Sequence, residues 1–190
     1  MTTVAILGLG NMGQGLATRL AGAVDLAQGA SDPAKATDLA GFGPVTTYEA
    51  AAARADIVVL ALPYDAALAF AANPVLAGKI VVDMSNPVKA DYSGLKVSGT
   101  TSAAEEIQKA APHSRVVKAF NTIFAGLFAA SRDATASVPV FVAGDDADAV
   151  AAVSALVAQA GFAAESVGGL DGARLVEPIG MLNIRFGYGL

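Results

Sequence analysis

Ile6-Leu7-Gly8-Leu9-Gly10-Asn11-Met12-Gly13-Gln14-Gly15-Leu16 carries a full G-x-G-x-x-G between an apolar run of strand length, Val4–Leu7, and the opening of a helical pattern. Each glycine answers a physical demand. Gly8 permits the tight turn, Gly10 lets backbone come close to a pyrophosphate, and Gly13 lets the helix pack against the strand, while the amides around Leu9, Asn11 and Met12 face the phosphates from a helix N-terminus. The motif gains weight from its place in the chain, which continues into a second strand and so completes a β-α-β unit.

Outward from this turn, apolar runs alternate with alanine-rich stretches of helix length, the pattern of a parallel sheet with crossover helices. Strands are expected at Val4–Leu7, Val24–Gln28, Pro44–Thr46, Asp56–Leu60, Lys79–Asp83, Arg115–Ala119, Val138–Ala143 and Ala163–Val167. Helices are expected at Asn11–Ala21, Pro33–Leu39, Tyr48–Arg54, Asp65–Ala72, Ala103–Ala110 and Asp146–Ala160, with Asp32 and Asp145 as caps. A last helix is expected over Ala173–Ile184, for packing on the sheet or on a partner chain, with Pro178 tolerated only in its first turn. The fold class is α/β: a Rossmann-type, doubly wound, mostly parallel sheet with helices on both faces and a C-terminal helix. Residues 1–190 form a single NAD(P)-binding domain, whose C-terminal extension, from about 122, contributes the acceptor side.

Composition removes whole classes of chemistry. With no cysteine and one histidine, His113, the chain cannot build thiolate-ligated metal centres or any site needing two imidazoles. Its 12 basic residues are scattered and its net charge is −5, so nucleic acid is not an expected partner. Mean hydropathy is +0.54, yet alanine inflates it and no apolar run reaches spanning length. No membrane association is expected, the N-terminus does not read as a signal peptide, and the expected location is the cytoplasm.

Further candidate residues lie where strands are expected to end. Past the second strand, Asp32 suits either an adenosine ribose 2′-hydroxyl or a helix cap, whereas Ser31 and Lys35 suit a 2′-phosphate. NADP(H) and NAD(H) therefore both stay open. Leu62-Pro63-Tyr64, Ser85-Asn86 and Asn121-Thr122 follow the fourth, fifth and sixth strands and converge on the same edge, where Ser85 and Asn86 offer polar groups to a ribose or a carboxamide.

Reduction of a carbonyl moves a proton with the hydride and so needs an acid or base. His113 precedes the sixth strand, at the wrong end, and reads as an exposed loop residue. Lys118 is a better placed candidate, although strand alternation points it toward the other face from Asn121. Transfer between two rings asks mainly for alignment, so the lack of an obvious acid favours a flavin-type acceptor.

The opening glycine stretch, Leu62-Pro63-Tyr64, Val116-Val117-Lys118-Ala119-Phe120-Asn121-Thr122, Val138–Asp146 and Ala173-Arg174-Leu175-Val176-Glu177-Pro178 together resemble the F420-dependent NADP oxidoreductase family. The Lys-Ala-Phe-Asn-Thr element is also similar to that of the NADPH-binding domain of Steap-type metalloreductases. The resemblance implies NADP(H) on the glycine turn, a deazaflavin (F420) or flavin ring against the nicotinamide, and a homodimer. It implies arginine after the second strand, where this chain has Ser31 and Asp32. Two other readings stand beside it: an imine or carbonyl reductase resembling pyrroline-5-carboxylate reductase, using Lys118 or Tyr64 on the proton path, and a dinucleotide-binding sensor without turnover.

Overall fold

The computed structural model describes residues 1–36 and 43–189. Eight strands form one sheet: β1 (Thr3–Leu7), β2 (Asp25–Gly29), β3 (Val45–Thr46), β4 (Ile57–Leu60), β5 (Ile80–Asp83), β6 (Arg115–Lys118), β7 (Pro139–Gly144) and β8 (Ala163–Ser166). The helices are α1 (Asn11–Leu20), α2 (Tyr48–Arg54), α3 (Tyr64–Ala71), α4 (Ala103–Ala110), α5 (Arg132–Thr135), α6 (Ala147–Gln159) and α7 (Ala173–Tyr188). Strand order is β3-β2-β1-β4-β5-β6-β7-β8, and every pairing is parallel except β6 with β7.

Alternation along β1 makes the two layers. Val4 and Ile6 pack with Leu16 and Leu20 of α1 and with Val153 and Leu156 of α6. Ala5 and Leu7 turn to the opposite face, against Ala51 of α2, Ala67 of α3, Ile107 of α4 and Val176 of α7. Strands buried on both faces lose the polar half of the alternating pattern, which is why they read as continuous apolar runs.

Register then positions the site. Leu7 pairs with Gly29 and Leu60, Leu60 with Asp83, and Asp83 with Lys118, so five parallel strands end on one line. The loops leaving them share one sheet edge. Between β1 and β4 the strand order reverses direction, the switch point outside which open α/β sheets bind ligands.

Several expected boundaries differ, each for a local reason. The expected helix Pro33–Leu39 is a single 3-10 turn, Pro33–Lys35, and residues 37–39 lie outside the described residues. Asp32 does not cap that turn, because its carboxylate pairs with the Lys35 ammonium instead. Asp145 does not cap α6; Asp146 does, accepting from the Ala149 amide at 2.8 Å, while Asp145 accepts from the Leu170 amide. Helix α3 starts at Tyr64, one residue early, with Pro63 at its N-cap. Pro178 sits inside α7 and not in its first turn. Its ring removes one helical hydrogen bond, and the burial of Val176, Glu177, Gly180 and Met181 around it offsets that loss.

Candidate functional site

At the glycine turn, local geometry follows from the missing side chains. Gly8 has φ +95°, a backbone conformation that L residues seldom adopt, and a Cβ there would strike the Ala61 carbonyl. A Cβ on Gly13 would run into the Gly8 carbonyl, so α1 rests directly on the turn. Gly10 differs: nothing lies within 4 Å of where its Cβ would be. It caps α1 with backbone alone, and the first turn of that helix carries no acidic side chain, so its amides have no side-chain cap, and Gly10, Asn11 and Met12 line a cavity.

Two cavities flank this turn, each of about 450 Å³. The first lies over the ends of β1, β4, β5 and β6 and takes in Gly10, Asn11, Met12, Leu62, Pro63, Ser85, Asn86 and Asn121. The second takes in Leu9, Gln14, Ser31, Asp32 and Lys35, with Tyr48 as its aromatic wall. Thus the chain brings together nearly all the residues singled out from sequence, on two sides of one glycine turn. Tyr64 and Thr122 are not among the lining residues. Tyr64 is buried in the first turn of α3, and the Thr122 carbonyl accepts from the Asn183 side chain of α7 at 2.7 Å.

Two residues that line the first cavity each carry a buried polar atom with no hydrogen-bond partner among the described residues: the Ser85 hydroxyl and Asn121 Oδ1. Such orphans are costly in a settled core and common where a ligand completes the bonding. The surrounding structure holds both in place. Asn121 Nδ2 donates to Asn86 Oδ1 at 2.9 Å and to the Val176 carbonyl at 3.0 Å, while Asn86 Nδ2 donates to the Asn121 carbonyl at 2.8 Å. Phe120, immediately before Asn121, is fully buried at φ +64°, strain of the kind that aims a neighbouring side chain.

Beneath Ser85 lies a buried ion cluster that sequence reading missed. The Lys118 ammonium is fully buried and bonds Asp83 at 2.8 Å, Glu177 at 2.9 Å and the Ser85 carbonyl, using all three of its protons. Asp83 also accepts from the Ser85 amide at 2.8 Å, so both backbone groups of Ser85 are tied to the cluster. Glu177 reaches across from α7 to cap α4, accepting from the Ala103 and Ala104 amides. Burial pushes the Glu177 carboxyl up from its ordinary range and the Asp83 charge adds to that, against the pull of Lys118 and the Ala103 amide. Lys118 is therefore a structural cation with no proton free for a substrate, and His113 is exposed at the far end of the sheet. Sequence reading also missed the apolar wall made by Val88, Tyr92, Phe124, Ile184 and Tyr188. These residues come from loops and from α7, whose approach no periodicity announces.

Sheet order, glycine turn and switch-point crevice define a doubly wound Rossmann-type domain. The family model for NADP oxidoreductase, coenzyme F420-dependent, matches residues 3–87. A candidate F420-dependent NADP-reductase from Arthrobacter sp. FB24 superposes with a TM-score of 0.84 at 30% identity, over 100% of this chain and 95% of that one. The chain belongs to this F420-dependent NADP oxidoreductase family. It is also 34% identical over 181 residues to the metalloreductase STEAP3 of Rattus norvegicus, covering 93% of this chain but only 36% of that protein. A reductive aminase from Aspergillus terreus, solved with NADPH and ethyl levulinate, shares the fold at 21% identity and a TM-score of 0.70, over 100% of this chain and 62% of its own. Among the described residues no helix is long and apolar enough to cross a membrane, and no cluster of acidic or histidine side chains is arranged for a metal.

Proposed function

We propose that this chain holds a nicotinamide dinucleotide across the glycine turn and passes hydride between it and a deazaflavin (F420) or flavin ring. The observation that carries the reading is the pair of buried orphan polar atoms, Ser85 Oγ and Asn121 Oδ1, on residues that line the cavity on one side of an uncapped helix N-terminus. A carboxamide needs one donor and one acceptor, and these two atoms offer that set. The Asn11, Met12 and Gly13 amides would hold the pyrophosphate above Gly10, and Leu62 and Pro63 would bound the nicotinamide ribose. Bound there, the dinucleotide supplies the hydride; the protein aligns the two rings and keeps water away, with Tyr92, Phe124 and Tyr188 as the faces for the second ring.

Family membership and the solved NADPH complex of the fold neighbour support a dinucleotide in this position. A ring acceptor is favoured because no carboxylate, lysine or histidine is among the residues lining the crevice: Lys118 is spent in its cluster, and Tyr64 is buried outside the lining. An imine or carbonyl reductase, the reading that the aminase fold neighbour suits, would take its proton from water or from a wall phenol, Tyr92 or Tyr188. We further propose a homodimer in which α7, within the segment 122–190 that supplies the acceptor side, meets its counterpart.

The test is a label transfer. Dinucleotide deuterated at nicotinamide C4 is mixed anaerobically with F420, FMN or a cyclic imine, and each product is analysed for deuterium. Label at C5 of F420 supports the reading, as does bleaching of FMN with loss of deuterium from the dinucleotide, because deuterium delivered to flavin N5 exchanges with solvent. Label only in the imine assigns the alternative, and tight binding with no transfer to any acceptor assigns a sensor.

A further inference from the structure

We infer that the adenosine end of this site reads a free ribose 2′-hydroxyl through Asp32, so that this member of an NADP-dependent family binds NADH in preference to NADPH. The inference rests on the dinucleotide reading above and specifies which dinucleotide the second cavity accepts.

Strand β2 ends at Gly29, in register with Leu7, and the Ala30 amide is fixed by the Thr46 carbonyl at 2.9 Å. Ser31 and Asp32 are then the first polar side chains beyond the strand, and both line the cavity of about 450 Å³. A dinucleotide on the glycine turn places its adenosine ribose at this point. The Asp32 carboxylate uses Oδ2 on Lys35, 3.0 Å away, and Oδ1 makes no hydrogen bond among the described residues. An acceptor oxygen with a free lone pair at a strand end is what a ribose hydroxyl needs.

A 2′-phosphate needs the opposite. It brings roughly two negative charges, which call for a guanidinium or several free donors. Between Gly29 and Tyr48 the sequence holds one basic residue, Lys35, against two acids, Asp32 and Asp38. That single ammonium is already paired with Asp32. The nearest arginines in sequence are committed elsewhere. Arg19 is buried and bonds the Phe128, Leu127, Ala130 and Ala160 carbonyls, and Arg54 faces Asp25 at the start of β2, the opposite end of the sheet. A 2′-phosphate would therefore sit against the Asp32 carboxylate with no unpaired cation among the lining residues to meet it. The pyrophosphate and nicotinamide ends of the site fit either dinucleotide; the 2′-phosphate alone does not fit.

Titration calorimetry with NADH and NADPH, and with ADP-ribose and its 2′-phosphate as fragments lacking the nicotinamide, tests this on the wild type and on Asp32→Asn. Asp32 is exposed and caps nothing, so the variant keeps the fold. NADH is expected to bind about tenfold or more tighter than NADPH, the fragments to show the same order, and added salt to narrow the gap. In Asp32→Asn the preference should shrink severalfold, since the repelling charge is gone and Lys35 is released. NADPH binding as tightly as NADH, or a ratio that Asp32→Asn leaves unchanged, overturns the inference while leaving the dinucleotide site standing. Failure of both dinucleotides to bind overturns the site itself.

Discussion

Gly10 and Gly13, close together on the same turn, separate folding from binding at the level of the single residue. Gly10 has open space where a Cβ would go, whereas Gly13 has the Gly8 carbonyl there. Gly10→Val should therefore keep the wild-type melting temperature and lose dinucleotide binding, while Gly13→Ala should lower the melting temperature by several degrees. Equal melting temperatures for the two variants, or full affinity in Gly10→Val, would contradict this division. Lys118 makes the same distinction for the ion cluster. Replacing it by Met strands Asp83 and Glu177 without a counter-charge, at an expected cost of about 3–5 kcal/mol in urea unfolding. A proton donor would instead lose turnover with its stability intact, and that result would return Lys118 to the reaction.

Legibility at the level of elements depended on whether the cause was local. The strands and the α1 turn could be read because burial on both faces, and the need for Gly8, Gly10 and Gly13, are written into consecutive residues. The β6–β7 antiparallel step, the use of Asp145 on the Leu170 amide in place of a helix cap, and the helical Pro178 depend on partners distant in sequence, and no window of residues carries them. Arg19 shows the limit well. It sits in the last turn of α1, where a surface cation is ordinary, yet it is buried and donates to the Phe128, Leu127, Ala130 and Ala160 carbonyls and to the Thr135 hydroxyl. Its guanidinium also lies 5.2 Å from the centre of the Phe162 ring. Burial, with Arg132 nearby, lowers its pKa from the ordinary value. This one side chain closes the ends of two helical segments onto α1. Arg19→Met keeps much of the packing and removes the donors, so a loss of about 3 kcal/mol is expected on unfolding. The 3-10 segment Ala125–Ala129, which carries Phe128, should then become the earliest site of amide exchange. A loss under about 1 kcal/mol would show that water replaces the guanidinium without penalty.

For the molecule as a whole, the convergence of the strand-end residues on the first cavity was legible in the sequence, because register alone brings strand ends together. The apolar wall of the first cavity was legible only as a C-terminal helix, since the placement of α7 is set by Glu177 reaching the α4 amides and by the tight approach of Gly180 to Asn86. That helix presents two faces. Ile184 and Tyr188 line the crevice, whereas Leu175, Leu182 and Phe186 are 71%, 66% and 85% exposed and, with Ile179, recur at spacings of three and four. An apolar stripe of this length facing water is expected to be covered. A second copy of the same helix covers it most economically, because a two-fold axis meets each apolar residue with another. Sedimentation should therefore show a dimer, and Leu182→Glu with Phe186→Glu should give a monomer. If the pairing braces α7, that monomer will need more acceptor for half-maximal rate while its affinity for ADP-ribose, which lacks the nicotinamide, stays unchanged, because the glycine turn and the second cavity lie on other elements. A wild type that sediments as a monomer, or a dimer that survives both charges, would remove α7 from the interface and leave the crevice wall to stand on the Glu177 contacts alone.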